Sequence, residues 1–272
     1  MNTIQNETNI PRGRILELVR KKHISFEIIN GSKHYDLNEI NKIIKDNFSL
    51  AVKKYKINKS KKTDFNAIEL FSGCGGMALG FKNAGINSEL LVEIDKDSCK
   101  TLDSNFKNTE ITCDDIANVD FKKFKSKIDI VAGGFPCQAF SYAGKSKGFE
   151  DTRGTLFFDF ARCVKEVKPK VAIGENVRGL VSHDKGRTLQ TMVKTLEDLG
   201  YNVQYKLLLA QYFNVPQKRE RVFIVATRKD LPNTYKYPEE LDYFVPLEVA
   251  LKDCPPSEGQ EYPKRKKEIM DM

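Results

Sequence analysis

The sequence predicts an α/β fold built on a mostly parallel sheet with helices on both faces. Three observations predict it. Between residues 65 and 232, short apolar runs alternate with amphipathic stretches of helical length, the pattern of strands joined by crossover helices. Hydrophobic residues make up 40% and charged residues 30% of the 272, which excludes a fibrous or wholly disordered chain. No apolar run approaches the roughly 20 residues that a membrane-spanning helix needs.

Taken in order, residues 1–64 form a basic N-terminal extension with 14 Lys/Arg against 7 Asp/Glu, while the remainder carries 31 against 30. The positive excess is therefore local, as in proteins that meet an anionic polymer. A solvated, Lys-rich linker has the same composition. RGRILELVRKK reads as a short helix, ISFEIINGSKHYDL as a hairpin turning at Asn30-Gly31, LNEINKIIKDNF as a second helix and KKYKINKSKKTD as a linker. A small DNA-binding module and a nondescript extension both fit. MNTIQNETNIPRGR lacks the apolar core of a secretory signal, so a cytoplasmic protein is expected.

The next segment, residues 65–232, should hold the sheet. Strands are expected at 66–70, 89–94, 128–134, 170–176, 202–209 and 221–227, and helices near 76–84, 97–106, 155–167 and 187–199. Ligands in such sheets lie at the carboxyl ends of the strands, so the chemistry should follow each apolar run. Six of the ten prolines fall between Pro232 and Pro263, so residues 233–272 should be mostly irregular.

The runs do end in chemically loaded residues. The first leads into Phe71-Ser72-Gly73-Cys74-Gly75-Gly76; glycines there let the backbone approach a ligand and open a helix, or simply form a turn. The second ends in Glu93-Ile94-Asp95, about 20 residues on, where an acid is placed for ribose hydroxyls. A third short apolar stretch precedes Cys113-Asp114-Asp115-Ile116, whose carboxylate either accepts from an adenine amino group or caps the next segment. Then comes Gly133-Gly134-Phe135-Pro136-Cys137-Gln138-Ala139-Phe140-Ser141. A cysteine held by proline in a glycine-flanked loop after a strand suits a nucleophile, which needs access and a thiolate; the other five cysteines read as inert thiols. Glu175-Asn176 ends the following run, and an acid at a strand end can serve as proton donor once desolvated. Finally, Arg219 and Arg221 in PQKRER share one face of a strand. Two guanidiniums there suit a phosphate or a carbonyl oxygen, or an ion-paired surface. The cysteines include no Cys-x-x-Cys pair and the three histidines no ligand spacing, so no metal is expected.

In this order the motifs resemble those of the DNA cytosine-5 methyltransferases of bacterial restriction–modification systems. The resemblance runs from about Phe65 to Arg228 through FSGCGG, VEID, DDI, GGFPCQAFS, RGTLFFDFAR, ENV and PQKRER. It implies a Rossmann-like methyltransferase fold with S-adenosylmethionine as cofactor, S-adenosylhomocysteine as product and double-stranded DNA as partner. It implies that Phe71 packs on the adenine, that Gly73 and Gly75 make room for the methionine part, and that Glu93 with Ile94 holds the ribose. Asp115 with Ile116 would meet the adenine edge, and Pro136 and Leu156 would line the pocket. Cys137 would be the nucleophile. Glu175 would grip the ring nitrogen, with Asn176 supporting the loop, and Arg221 would reach the base carbonyl. Gln138, Ser141 and Arg219 would order the loop and backbone around a flipped nucleotide.

Members of this family continue well beyond PQKRER into a target recognition domain and a closing Gly-Asn segment, neither of which is found in residues 229–272. The chain therefore reads as the catalytic half, completed by a second chain or a missing C-terminal half. Two rivals stand beside this reading. One is an RNA cytosine-5 methyltransferase, whose loop more often reads Pro-Pro-Cys. The other is a DNA-binding regulator with an impaired methyltransferase body.

Overall fold

The computed structural model describes residues 26–57, 59–136, 156–232 and 234–254. The expected helix at RGRILELVRKK lies outside them. The described residues fall into two compact units, Lys56–Asp242 and a smaller one made of residues up to Tyr55 together with those from Tyr243.

The larger unit is a seven-stranded sheet. Its strands are β3 (Asn66–Leu70), β4 (Asn87–Glu93), β5 (Glu110–Cys113), β6 (Ile130–Gly133), β7 (Val171–Val177), β8 (Tyr201–Leu209) and β9 (Glu220–Arg228), in the order β5-β4-β3-β6-β7-β9-β8. The first five run parallel; β9 runs antiparallel to both β7 and β8. All six expected strands form, with ends shifted by no more than three residues. The helices are α2 (Gly76–Asn83), α3 (Lys96–Asn105), α4 (Leu156–Val167) and α5 (Arg187–Asp198). Strand β5 was not among the expected strands. It is a four-residue edge strand without a fully buried residue, and the short apolar stretch noted before Asp114 is too brief to announce a strand.

Both faces of the central strands are covered. Ile68, Leu70, Val92 and Val131 on one face join the main core with Phe157, Phe160 and Val164 of α4 and Leu189, Met192 and Leu196 of α5. The spacing of these helical residues is the i, i+3, i+4, i+7 stripe of a helix lying on a sheet. On the other face Ala67 and Ala132 pack with Phe81 of α2, and Leu91 packs with Ala78 of α2 and Leu102 of α3. The chain steps outward from β3 through β4 to β5, then returns to place β6 on the other flank of β3. The connections leaving the carboxyl ends of β3 and β6 therefore diverge, and the crevice between such connections is where ligands bind in open sheets. After β9 the chain doubles back, with no helix or strand among the described residues up to Asp242. The Tyr237 hydroxyl donates to the carbonyls of Phe223 (2.9 Å) and Gln204 (3.2 Å), and the Leu241 amide to Tyr212 (2.9 Å).

In the smaller unit the hairpin forms as expected: β1 (Glu27–Ile29) pairs with β2 (Ser32–His34) around Asn30-Gly31, both at positive φ. Helix α1 (Leu37–Lys54) starts where expected, with Asp36 accepting from the Asn38 amide at 2.7 Å. It runs six residues past the expected Phe48, taking in Lys53 and Lys54, which complement the helix dipole in its last turn. The segments read separately as 1–64 and 233–272 meet here. Buried Asn47 of α1 donates to the Phe244 carbonyl and accepts from its amide, both at 3.1 Å. A five-residue helix, α6 (Leu247–Leu251), follows in the stretch expected to be mostly irregular.

Asn47→Ala should remove both of these hydrogen bonds to Phe244, costing about 1–3 kcal/mol. Limited proteolysis should then cut between residues 243 and 254 faster than in the wild type; an unchanged rate would mean that other contacts hold this segment.

Candidate active site

A cavity of about 310 Å³ opens at the carboxyl ends of β3, β4 and β5, lined by Phe71, Val92, Glu93, Ile94, Asp114, Asp115, Ile116, Pro136 and Leu156. Seven of these were singled out in the sequence. Val92 and Asp114 are additional, and their signal was their place beside Glu93 and Asp115 at the ends of apolar runs.

The turn after β3 is shaped by left-handed backbone. Phe71 has φ +58°, Gly73 +52° and Gly75 +88°. A Cβ on Gly75 would fall 2.6 Å from Phe106 Cε2 and 2.8 Å from Leu102 Cδ2, whereas one on Gly73 would meet nothing within 4 Å. Gly75 is thus required by close packing and by φ, Gly73 by φ alone. Glu93 ties this turn to β4. Its Oε2 accepts from the Gly73 amide at 2.7 Å, and its Oε1 from the amides of Ile94 and Asp95, each at 2.9 Å. A carboxylate offers about four acceptor sites, so three bonds leave capacity for a ligand hydroxyl.

The cavity's third side is equally anchored. The Asp114 amide donates to the Glu93 carbonyl at 3.1 Å, and Asp114 Oδ1 accepts from the Asp115 amide and Asn118 Nδ2. Asp115 Oδ1 accepts from the Ala117 amide at 2.9 Å, so this carboxylate does cap the short helical turn Ile116–Asn118. Arg162 of α4 then donates to the carbonyls of Ile116 (2.7 Å) and Val119 (3.0 Å). Sequence reasoning gave Arg162 no role: nothing local distinguishes an arginine that braces a remote turn from one that faces solvent.

The second cluster lies where β7 ends and β9 begins. Glu175 Oε1 is 3.0 Å from Arg221 Nε and 3.2 Å from Arg219 Nη2. Both arginines reach the same carboxylate, but only Arg221 lies on β9; Arg219 precedes the strand, so the expected shared strand face is not what brings them together. Buried Asn176, 2% exposed, donates from Nδ2 to the Phe135 carbonyl at 2.8 Å. A Cβ on Gly134 would sit 3.3 Å from Glu175 Oε2. Residues Gly134–Pro136 thus bridge the two clusters, with Gly134 against Glu175 and Pro136 on the cavity wall. Cys137, Gln138 and Ser141 lie outside the described residues. Among the described residues no group of three or more His, Cys, Asp or Glu could hold a metal ion, and no helix is long and apolar enough to cross a membrane.

Residues 65–269 match the family described as C-5 cytosine-specific DNA methylase. The chain is 52% identical over 218 residues to the Type II methyltransferase M.Eco47II of Escherichia coli, covering 76% of this chain and 52% of that protein. It is 43% identical over 223 residues to the Type II methyltransferase M.Sau96I of Staphylococcus aureus, covering 79% and 52%. The chain thus spans about half the length of the curated relatives it matches. Among solved structures, a prophage-encoded protein of E. coli, named as a DNA modification methyltransferase, is 27% identical with a TM-score of 0.57, covering 70% of this chain and 55% of that one.

Gly75→Ala should lower stability by about 2–4 kcal/mol, the left-handed backbone adding to overpacking against Leu102 and Phe106. Gly73→Ala should cost only about 1–2 kcal/mol. Thermal unfolding of the two variants checks the ranking, and equal losses would contradict it.

Proposed function

The chain belongs to the C-5 cytosine-specific DNA methylases, and from that premise we propose that it is the catalytic part of a DNA cytosine-5 methyltransferase. Its role is that of the modification enzyme of a type II restriction–modification system, acting on double-stranded DNA in the bacterial cytoplasm. One observation carries the reading: the segment Gly134–Pro136 joins a nucleoside-sized cavity to the Glu175–Arg219–Arg221 cluster, and Cys137 follows Pro136 directly.

The cavity's chemistry fits S-adenosylmethionine. Phe71, Val92, Ile94, Ile116, Pro136 and Leu156 offer apolar walls to a purine, with Glu93 and Asp115 at the rim. Its volume falls at the small end of the range for ligand sites. Glu93 has acceptor capacity left for ribose hydroxyls, and Asp115 can take the adenine amino group with the oxygen that does not cap. Gly73 and Gly75 keep the turn free of side chains beside the methionine part. When bound, S-adenosylmethionine supplies a methyl group made electrophilic by its sulfonium.

The protein's own residues do the rest. The target cytosine must leave the stack, at a cost of a few kcal/mol, because a thiolate cannot reach its carbon 6 within the duplex. The Cys137 thiolate bonds carbon 6, and the displaced π pair moves towards carbon 5 and the ring nitrogen. Glu175 hands a proton to that nitrogen as negative charge develops there, a preference for the transition state over the ground state. Arg221 serves the base carbonyl, while Arg219, Gln138 and Ser141 order the surrounding loop and backbone. Carbon 5 takes the methyl group and then gives its proton to water; the freed pair re-forms the carbon 5–carbon 6 double bond, the carbon 6–sulfur bond breaks with its pair returning to Cys137, and the ring nitrogen returns its proton to Glu175. Because the chain spans about half of its relatives, target recognition and closure of the cofactor pocket are assigned to a second chain or to a C-terminal half. The chain alone should bind cofactor weakly.

Duplex DNA carrying 5-fluorocytosine, which has no proton to lose at carbon 5, should trap a covalent adduct on Cys137 in the presence of S-adenosylmethionine and the complementing half. A mass spectrum without the adduct would reject the mechanism. Cys137→Ala should abolish methyl transfer from labelled cofactor, with cofactor affinity within about twofold of wild type; retained transfer would remove Cys137 from its role. Transfer to RNA in preference to DNA in the same assay would change the substrate.

A further inference from the structure

Glu69 is a carboxyl at the centre of the sheet that the mechanism above does not use. It lies on β3 and is 3% exposed. It pairs in register with Leu91 of β4 and Ala132 of β6, and shares its sheet face with Ala67. The helical residues packed on that face are Met77, Ala78 and Phe81 of α2 and Leu102 of α3. None of these neighbours carries charge. One carboxyl oxygen accepts from the Ala78 amide, while Oε2 is buried with no hydrogen-bond partner. Helix α2 is preceded by Gly75 at its N-cap, which has no side chain to cap it.

We propose that Glu69 is a positioning residue for the cofactor turn: from the strand beneath, its buried carboxyl supplies the cap that Gly75 lacks and pins the first turn of α2, and with it the left-handed backbone from Phe71 to Gly75. The inference rests on the cofactor reading of the cavity given above. Ala78 is the third residue of α2, where an amide has no partner within the helix. A side chain cap normally comes from the residue before the helix, and here that position is closed to any side chain by Phe106 and Leu102. The turn needs glycine for its packing, so the cap has to come from elsewhere. The adjoining loop is tied to the same strand, with the Ser72 hydroxyl donating to the Glu69 carbonyl at 3.0 Å. Glu69 and Glu93 then hold the turn from two sides, one at the helix start and one at the Gly73 amide.

The cap works as a carboxylic acid. Burial pushes the Glu69 carboxyl up from 4.5 to about 8, against the opposing pull of the Ala78 hydrogen bond. The folded chain keeps a proton that the unfolded chain has lost. The stability contributed by this group is therefore full below pH 4.5 and declines as pH rises towards 8.

Hydrogen exchange on the cofactor-free full chain at one pH tests the cap directly. Glu69→Ala should raise exchange in peptides covering residues 71–80 at least tenfold and leave those of α4 unchanged, and Glu69→Gln, which keeps an acceptor oxygen, should restore protection. Calorimetric titration with S-adenosylhomocysteine should show at least a tenfold loss of affinity for Glu69→Ala, recovered by Glu69→Gln. Unchanged exchange in Glu69→Ala overturns the proposal, as does unchanged affinity. Should that variant fail to fold, Glu69→Gln decides: its thermal midpoint should not fall between pH 5 and 9 as the wild type's does, and parallel slopes overturn the proposal. A wild-type chain that binds no S-adenosylhomocysteine even with its complementing half refutes the cofactor reading, while the exchange result still judges the cap.

Discussion

The carboxylate of Glu93 collects three backbone amides, one from the turn after β3 and two from its own strand's exit. Each of these is a hydrogen bond to a charged acceptor, shorter and stronger than a neutral one. The Glu93 carbonyl meanwhile takes the Asp114 amide from the end of β5. Three strand exits are thereby locked together through one residue. The cavity is the space they enclose, and its walls keep their relative positions only while that lock holds. The Gly73 amide makes its bond from a left-handed backbone.

The second cluster obeys a different constraint. A parallel strand added next to β7 would have brought its carboxyl end to Glu175, after a long crossover. An antiparallel one brings its beginning. Because β9 runs against β7, Arg221 lies opposite Val177, and the residues leading into β9 arrive at the rim where β7 finishes. Arg219 and Arg221 thus meet a carboxylate more than forty residues earlier in the chain through strand direction alone. Asn176, adjacent to that carboxylate, fastens the segment from Gly134 to Pro136 at Phe135.

Much of this was legible in the sequence because local pattern and long-range role coincide. The central strands are apolar on both faces, and the residues after them are glycine, acid or proline, so Phe71, Glu93, Asp115, Pro136 and Glu175 could be found from their neighbours. What escaped notice has no local mark. Strand β5 exists by pairing with β4, not by apolar content. Arg162 acts on carbonyls over forty residues away, and Asn47 on a backbone nearly two hundred residues away. Glu69 reads as a polar lapse in an apolar strand until the helix above it is seen to lack a cap.

The path after β9 has a consequence for how the molecule is extended. Strand β9 finishes opposite the start of β7, at Val171 and Thr227, on the rim away from the cavity. Tyr237 is fastened first level with Phe223, two residues from Arg221, and Leu241 then reaches Tyr212, just past the end of β8. The peptide has climbed the whole height of the sheet as a strap. The larger unit, which ends at Asp242, therefore releases its polypeptide at the working rim and not at the floor.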